Sequence, residues 1–236
     1  GEAIATHMDV DVLAFTGSNA VGRRLLEYSA RSNLKRVYLE LGGKSPNIVF
    51  ADAPDLDRVA NVSANGIFRN SGQVCVAGSR LLVQRSIHDE LVERLAHVAG
   101  ALKVGDPLDL ASDVGAIASA AQLAGNLRFA RQAEDEGARL VSGGERILEE
   151  TGGFYQRPAI FDRVSQEMTL AREEVFGPLL AVIAFDEEAD AVRLANATEY
   201  GLASAVWTSS LSTAHRMVRA VRAGIVHVNT YGGSDL

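Results

Sequence analysis

Short apolar runs along the chain alternate with segments in which apolar residues recur every three or four positions. The short runs are typical of buried strands, and the recurring pattern is typical of amphipathic helices that cover a sheet. We predict strands at residues 12–15, 37–41, 47–50, 81–84, 139–141, 179–185, 203–207 and 225–228. This alternation predicts an α/β fold built on a largely parallel sheet, with helices on both faces.

In the helical segments, the spacing of the apolar residues indicates which face of each helix is buried. A helix over about residues 19–30 follows the first strand. One face of a second helix is predicted to carry Ile87, Leu91, Leu95, Val98 and Leu102. One face of a third is predicted to carry Leu211, Ala214, Met217, Val218 and Val221.

Composition narrows the class of protein. The chain has 236 residues, of which 47% are hydrophobic, so it can bury a sizeable core. Its net charge of -7, without long runs of either sign, disfavours nucleic acid and anionic membranes as partners. No apolar run is long enough to span a bilayer, and the first residues lack the layout of a signal peptide, so a cytoplasmic location is expected. A single cysteine excludes an internal disulfide and a zinc site with several cysteines, and no metal is expected.

The first stretch whose residues suggest a functional role is 15–22, where a strand turns through Gly17 into a helix. Such a turn presents free backbone N–H groups and the positive end of a helix dipole, which suit a pyrophosphate. The hydroxyl of Ser18 would add a donor. The alternative is that Ser18 only caps the helix and Gly17 only makes the turn.

The second stretch is residues 39–46, in which Glu40 ends an apolar strand immediately before two glycines. Ligand groups in α/β proteins often lie at the carboxyl end of a parallel strand. Partial burial at that position would suit Glu40 to act as a general base. The alternative is a structural role in which Glu40 pairs with Lys44 or a neighbouring arginine.

The third stretch is residues 70–80, which hold the only cysteine, Cys75, in a turn flanked by Gly72 and Gly78. Its small and polar surroundings differ from those of a cysteine in an apolar core, and the glycines would let a substrate approach the sulfur. Cys75 is therefore a candidate nucleophile, although cysteines often serve only as small apolar residues.

The fourth stretch, residues 173–178, combines Glu173 and Glu174 with Phe176 and a Gly-Pro turn. A carboxylate can accept hydrogen bonds from both hydroxyls of a ribose, and a neighbouring ring can pack on a flat heterocycle. The alternative is an ordinary loop that leads into the strand at residue 179, with Phe176 in the core.

In this order and at these separations, the four stretches resemble the NAD(P)-dependent aldehyde dehydrogenase superfamily, and the likeness covers essentially all of residues 1–236. Residues 39–46 are similar to the family's glutamate signature, residues 72–80 to its cysteine signature and residues 173–178 to its nicotinamide-ribose motif. The wider sequence, at residues 45–56, 205–208 and 214–217, looks most like the γ-glutamyl-γ-aminobutyraldehyde dehydrogenases.

The resemblance implies an oxidoreductase that converts a small-molecule aldehyde to a carboxylic acid with NAD or NADP. Cys75 would form a thiohemiacetal and then a thioester, and Glu40 would activate the water that hydrolyses it. It also implies cofactor contacts at Gly17, Ser18, Asn19, Ala20, Val21, Gly22, Leu41, Glu174 and Phe176. The substrate tunnel beside the sulfur would be lined by Val74 and Val76.

The chain also departs from the family pattern. Asn19 and Ala20, and the three residues 69–71, differ from those expected before the glycine and cysteine motifs. Only about the second half of a family member is present: residues 1–39 would be the last βα portion of a Rossmann-like dinucleotide-binding domain, and residues 40–236 the catalytic domain without its final segment. The full-length parent is expected to be a homodimer or homotetramer, and the isolated chain is expected to be inactive.

Two other functions stay open from the sequence. Cys75, His227 and Asn229 occur in the order used by papain-like cysteine hydrolases, with Gln73 as an oxyanion donor, but the residues around Cys75 do not match the papain-like sequence. The second alternative is a non-catalytic folded fragment that keeps the motifs without using them.

Overall fold

The computed structural model describes residues 1–232 and leaves residues 233–236, the end of the predicted catalytic domain, outside the described part. The chain packs as two compact units, Gly1–Gly42 and Gly43–Leu236. The division falls just after the predicted boundary at residues 39 and 40. The assignment of the first unit to a dinucleotide-binding domain stays a prediction.

The first unit is a small α/β layer. Its elements in chain order are α1 (Glu2–Thr6), β1 (Val12–Thr16), α2 (Asn19–Ala30) and β2 (Arg36–Glu40). The two strands pair in parallel, with Val12 opposite Arg36 and Thr16 opposite Glu40. Exposure alternates along both strands, so one face of the pair is partly covered and the other is exposed.

The second unit is organised around one sheet. Its strands are β3 (Pro46–Val49), β4 (Arg80–Gln84), β5 (Arg139–Ser142), β6 (Arg146–Ile147), β7 (Tyr155–Gln156), β8 (Ala159–Asp162), β9 (Leu179–Phe185), β10 (Ala203–Trp207) and β11 (Ile225–Val228). Its helices are α3 (Leu56–Phe68), α4 (His88–Ala101), α5 (Ala120–Asp135), α6 (Thr169–Arg172), α7 (Glu188–Ala195) and α8 (Leu211–Ala220). Within the described residues, seven strands form the sheet in the order β11-β10-β3-β4-β9-β8-β5, and only the β5–β8 pair is antiparallel.

The central strands are buried on both faces because their side chains alternate between two apolar layers. Ile48 and Leu82 belong to the layer that α5, α6, α7 and α8 cover. Val49 and Leu81 belong to the opposite layer, which α3 and α4 cover. The predicted α/β class, with a largely parallel sheet and helices on both faces, is confirmed.

One predicted helix face is narrower than its apolar spacing indicated. Ala214, Met217 and Val221 are buried, but Leu211 is 73% exposed and Val218 is 39% exposed. At 100° per residue, Leu211 and Val218 lie toward the margin of the face centred on the other three. The prediction that all five line one buried face was therefore wrong at these two positions.

Arg80 joins the start of β4 to the end of α7 through the interior of the second unit. Its side chain is fully buried, and Nε donates to the carbonyl oxygen of Lys44 at 2.9 Å. The two terminal nitrogens donate to the carbonyl oxygens of Leu194 at 2.7 Å and Ala195 at 2.9 Å. These carbonyls form the negative end of the α7 dipole, so the buried cation has matching partners. Burial lowers the pKa of Arg80 to about 10, which leaves it charged at neutral pH.

Replacing this guanidinium should destabilise the second unit. We expect Arg80→Met to lower the free energy of unfolding by about 3 kcal/mol or more, because several buried carbonyls lose charged donors at once. Urea denaturation monitored by circular dichroism measures the effect. Arg131→Met, at an exposed position on α5, is the matched control and should change stability by less than about 0.5 kcal/mol. Equal stability of the two variants would contradict this account of Arg80.

Candidate active site

Three loops of the second unit meet where β3, β4 and β9 begin, which we call the amino edge of the sheet. Gly43 precedes β3, Cys75 precedes β4 and Glu174 precedes β9. These strands are parallel neighbours, so the loops before them lie side by side. The backbone N–H of Gly43 donates to Oε1 of Glu174 at 3.0 Å. The structure therefore brings together parts of three stretches that the sequence had marked separately.

Two glycines allow the backbones of these loops to touch. A Cβ on Gly43 would lie 2.2 Å from the carbonyl oxygen of Cys75. A Cβ on Gly72, which has a φ of +69°, would lie 2.2 Å from the carbonyl oxygen of Gly177. Any side chain at either position would push the loops apart. Close backbone contact therefore holds the Cys75 loop against both neighbouring loops.

The Cys75 loop is further shaped by strained residues that precede it. Asn70 and Ser71 adopt left-handed backbone conformations, with φ of 53° and 56°. Such conformations are unfavourable outside glycine and persist only where surrounding contacts impose them. Ser71 Oγ donates to the carbonyl of Gly115 at 2.7 Å, and Gln73 Oε1 accepts from the N–H of Ala118 at 2.9 Å. These two hydrogen bonds attach the residues before Cys75 to the segment of residues 115–118.

Cys75 itself is a free thiol of intermediate exposure. It does not belong to either apolar layer of the sheet, which separates it from an inert core cysteine. Its backbone N–H makes no hydrogen bond within the part of the chain that the structure describes. A partly accessible sulfur beside an uncommitted N–H is an arrangement that can bind a carbonyl carbon and its oxygen.

The loop before β9 exposes the ring of Phe176. Phe176 is 41% exposed and has a φ of 55°, so it does not lie in the core as the structural alternative supposed. Glu174 is half-buried, with its carboxylate tied to Gly43. A carboxylate fixed through one oxygen beside an exposed ring fits the ribose and heterocycle of a nicotinamide nucleotide.

Val74 and Val76 flank the cysteine and are both half-buried. Together with Tyr231 they line a cavity of about 50 Å³. Their role in a substrate tunnel stays a prediction.

In the first unit, residues 15–22 form the predicted strand end, turn and helix start. Ser18 caps α2, and its Oγ accepts from the N–H of Val21 at 3.4 Å. The N–H groups of Asn19 and Ala20, in the first turn of α2, have no acceptor among residues 1–232. A helix terminus with free N–H groups fits a phosphate. A Cβ on Gly22 would lie 2.8 Å from Leu41, so this glycine lets the Leu41 side chain pack on the helix.

The expectation that Glu40 is partly buried was wrong. Glu40 ends β2 as predicted, but it is exposed rather than partly buried. The side chains of β2 alternate, and Glu40 shares the exposed face with Arg36 and Tyr38. The sequence could not reveal this, because an apolar strand that ends in glutamate does not show which face of its sheet is covered.

A larger cleft of the second unit lies elsewhere. It has a volume of about 1070 Å³ and opens at the opposite edge of the sheet, where β4, β8 and β9 end. Its buried carboxylate is already paired within the protein: Asp162 accepts from Arg139 at 2.8 Å and lies 2.8 Å from His88 Nε2. We place the candidate site at the amino edge, where the partly exposed sulfur of Cys75 lies beside its own uncommitted N–H.

Sequence reasoning missed Lys44 as a buried group. Its side chain is 1% exposed, and Nζ has no hydrogen-bond partner within the described residues. Burial and the charge of Arg80 lower the pKa of Lys44 to about 7, against the attraction of Glu174 and Glu173. The glycines before it were the only signal that residue 44 enters the interior. The alternative pairing of Glu40 with Lys44 therefore lacks support from the environment of Lys44.

The low pKa of Lys44 makes stability depend on pH. Between about pH 7 and 10.5 the unfolded chain holds the lysine proton and the folded chain does not, so this residue makes stability rise with pH across that window. Below it, the full penalty of the buried ammonium is present. Lys44→Met should therefore stabilise the protein, and the gain should fall by roughly 2 to 3 kcal/mol between about pH 6 and about pH 9.

Urea denaturation at the two pH values measures this gain. Lys103→Met, at an exposed position, is the matched control and should show no such trend. A gain from Lys44→Met that does not vary with pH would contradict the proposed titration.

The similarity to known proteins covers the whole chain and not only the individual motifs. Residues 1–236 match the aldehyde dehydrogenase family. The NADP/NAD-dependent aldehyde dehydrogenase PuuC of Escherichia coli (strain K12) is 46% identical over 236 residues, which make up 100% of this chain and 47% of PuuC. A crystal structure of indole-3-acetaldehyde dehydrogenase with NAD+ matches with a TM-score of 0.98 and 52% identity, covering 100% of this chain and 48% of that one.

The finer likeness noted in the sequence also has a structural counterpart. The γ-glutamyl-γ-aminobutyraldehyde dehydrogenase from Burkholderia cenocepacia J2315 matches with a TM-score of 0.96 and 53% identity, covering 99% of this chain and 47% of that one. This chain spans about half the length of the relatives it matches. Because the family match takes in every residue, including the glutamate, cysteine and ribose motifs, the chain belongs to the aldehyde dehydrogenase family.

Proposed function

We propose that this chain supplies the catalytic half of an enzyme that oxidises an aldehyde to a carboxylic acid with NAD or NADP. The observation that carries the proposal is the meeting of the Cys75, Gly43 and Glu174 loops at the amino edge of the sheet. Relatives named as NADP/NAD-dependent or crystallised with NAD+ support the choice of cofactor.

Cys75 carries the covalent chemistry. Its thiolate attacks the aldehyde carbon, a carbon–sulfur bond forms, and the carbonyl electrons move to oxygen. The uncommitted N–H of Cys75 can donate to that oxygen as it gains charge. The product of this step is a thiohemiacetal.

A bound dinucleotide would supply the hydride acceptor that the conversion of the thiohemiacetal to a thioester requires. Glu174 would bind the ribose hydroxyls next to the nicotinamide, and Phe176 would pack nearby. The turn of residues 17–22, with Ser18 and the free N–H groups of α2, would hold the pyrophosphate. Leu41 would contact the nicotinamide through its backbone.

Glu40 would complete the cycle as a general base. Its carboxylate takes a proton from water, the resulting hydroxide adds to the thioester carbonyl, and the carbon–sulfur bond breaks. The acid leaves and the thiolate of Cys75 is restored. The exposure of Glu40 gives it access to the water that this step consumes.

The cysteine hydrolase alternative loses two of its supposed participants. The side-chain amide of Asn229 makes two hydrogen bonds to the backbone of Thr208, at 3.0 and 3.1 Å. Gln73 is held through both ends of its amide: Oε1 accepts from the N–H of Ala118 at 2.9 Å, and Nε2 donates to the carbonyl oxygen of Asn70 at 3.4 Å. Neither is free for the role that a papain-like mechanism would give it. The non-catalytic alternative is separated from the enzyme by the experiments below.

The remaining assignments follow from the family. Val74 and Val76 favour an apolar passage, and an aldehyde that bears an amino or amide group suits the likeness to the γ-glutamyl-γ-aminobutyraldehyde dehydrogenase. We infer a homodimer or homotetramer for the full-length parent and a cytoplasmic location. No helix within residues 1–232 has the length and apolar character needed to cross a membrane.

The isolated chain should be nearly inactive. It contains only a two-stranded sheet in the unit that holds the predicted pyrophosphate turn, and its relatives are about twice as long. We expect weak or absent NAD binding and almost no NADH formation when aldehyde and NAD are added. A robust rise in NADH absorbance would overturn this expectation.

A chimera tests the assigned roles directly. In it, this chain replaces the matched half of PuuC, so that the remaining segments of a relative are present. We expect steady NADH formation from the unmodified chimera and none from Cys75→Ser. Glu40→Gln should release about one NADH per active site and then stop, because hydride transfer precedes hydrolysis.

Glu27→Gln, which changes an exposed glutamate on α2, is the matched control and should turn over normally. Steady turnover by Glu40→Gln would show that another group activates the water. Activity in Cys75→Ser would exclude the covalent mechanism.

A further inference from the structure

Tyr231 is a buried tyrosine whose hydroxyl contacts the Cys75 loop. Its side chain lies in the apolar layer covered by α3 and α4 and is 2% exposed. The phenol oxygen donates to the carbonyl oxygen of Val76 at 2.8 Å. Val76 follows Cys75 directly, so this hydrogen bond fixes the Val76–Ala77 peptide group, one residue beyond the reactive cysteine.

Two glycines make the space that the ring occupies. A Cβ on Gly66 would lie 2.7 Å from Tyr231 Cδ1, and a Cβ on Gly78 would lie 2.9 Å from its Cζ. Gly66 belongs to α3 and Gly78 to the Cys75 loop, and the N–H of Gly78 donates to the carbonyl of Gly66 at 3.1 Å. The ring is thus enclosed by the helix on one side and the loop on the other.

The enclosure keeps the phenol in its donor form. Burial raises the pKa of Tyr231 well above its ordinary value, so the hydroxyl retains its proton at neutral pH. A buried hydroxyl needs an acceptor, and the Val76 carbonyl supplies it. The contact therefore has one stable arrangement, in which the Val76 peptide points its oxygen at Tyr231.

We propose that Tyr231 is a positioning residue for Cys75, because its hydroxyl fixes the Val76 peptide and thereby the direction in which the sulfur is presented. The inference rests on the proposed function of Cys75 as the nucleophile. It gives a role to the hydrogen bond between a large buried aromatic side chain and the loop that carries the sulfur.

The only cysteine of the chain makes the test direct, since alkylation by iodoacetamide reports on Cys75 alone. Tyr231→Phe removes the hydroxyl and keeps the ring. We expect the limiting alkylation rate, taken from a rate profile across neutral and alkaline pH, to fall on the order of tenfold, because small errors in positioning reduce reactivity strongly. Tyr38→Phe, at an exposed position of β2, should leave the rate unchanged.

The direction in which Tyr231→Phe changes the alkylation rate distinguishes a positioning role of Tyr231 from a purely stabilising one. If Tyr231 only stabilised the fold, its loss would loosen the loop and would leave the rate unchanged or raise it through local opening. An unchanged or faster rate in Tyr231→Phe, with circular dichroism like that of the unmodified chain, would overturn the proposal. Gly78→Ala, which presses on the ring but keeps the hydroxyl, gives a second test and should also slow alkylation.

The unmodified chain distinguishes failure of this inference from failure of the proposed function. If its Cys75 reacts no faster than a model thiol such as glutathione, the nucleophilic role itself is in doubt. If it reacts faster and Tyr231→Phe reacts equally fast, only the positioning role fails.

Discussion

The arrangement of the candidate site depends on direct backbone contact between loops that carry different functional groups. The Cys75 carbonyl lies against Gly43, and the Gly177 carbonyl lies against Gly72, at distances that leave no room for a Cβ. Because Gly43 also donates to Glu174, one residue touches both the proposed nucleophile loop and the proposed ribose ligand. The parallel order of β3, β4 and β9 makes this possible, since it places the three loops side by side. Rigid strands thereby position groups that lie far apart in the sequence.

Two basic side chains, Arg80 and Lys44, are buried close to these loops, and they differ in their hydrogen-bond partners. Arg80 is surrounded by carbonyl acceptors, including those at the end of α7, so its charge is compensated. Lys44 has no partner for its nitrogen among the described residues and has a pKa of about 7. An unpaired buried ammonium reduces stability, and such groups concentrate where function requires a charged environment. The nearby carboxylates of Glu173 and Glu174 connect Lys44 electrostatically to the loop before β9.

Much of the fold could be predicted from the sequence, because buried parallel strands leave continuous apolar runs. The predicted strands at residues 179–185, 203–207 and 225–228 coincide with β9, β10 and β11. β8 was missed because its four residues end in Asp162, which breaks the apolar run. The antiparallel pairing of β5 with β8 leaves no local signal, since pairing is decided between segments distant in the chain.

The candidate site was predictable where its residues lie in short motifs and was not where they depend on packing. Cys75, Glu174 and Phe176 occupy loops at the amino edge, in keeping with their motifs. The exposure of Glu40 and the burial of Lys44 depend on which face of each segment is covered, which a motif does not encode. Tyr231 reaches the Cys75 loop from the far end of the chain, and a lone tyrosine after a strand gave no sign of that contact.

Acylation of Cys75 during aldehyde oxidation is the step on which the proposed mechanism depends. The most direct measurement is the intact mass of the PuuC chimera carrying Glu40→Gln after incubation with aldehyde and NAD, followed by peptide mapping. We expect an adduct on Cys75 equal to the mass of the aldehyde less two hydrogens, formed only when NAD is present. An unmodified Cys75 after NADH has been released would contradict it.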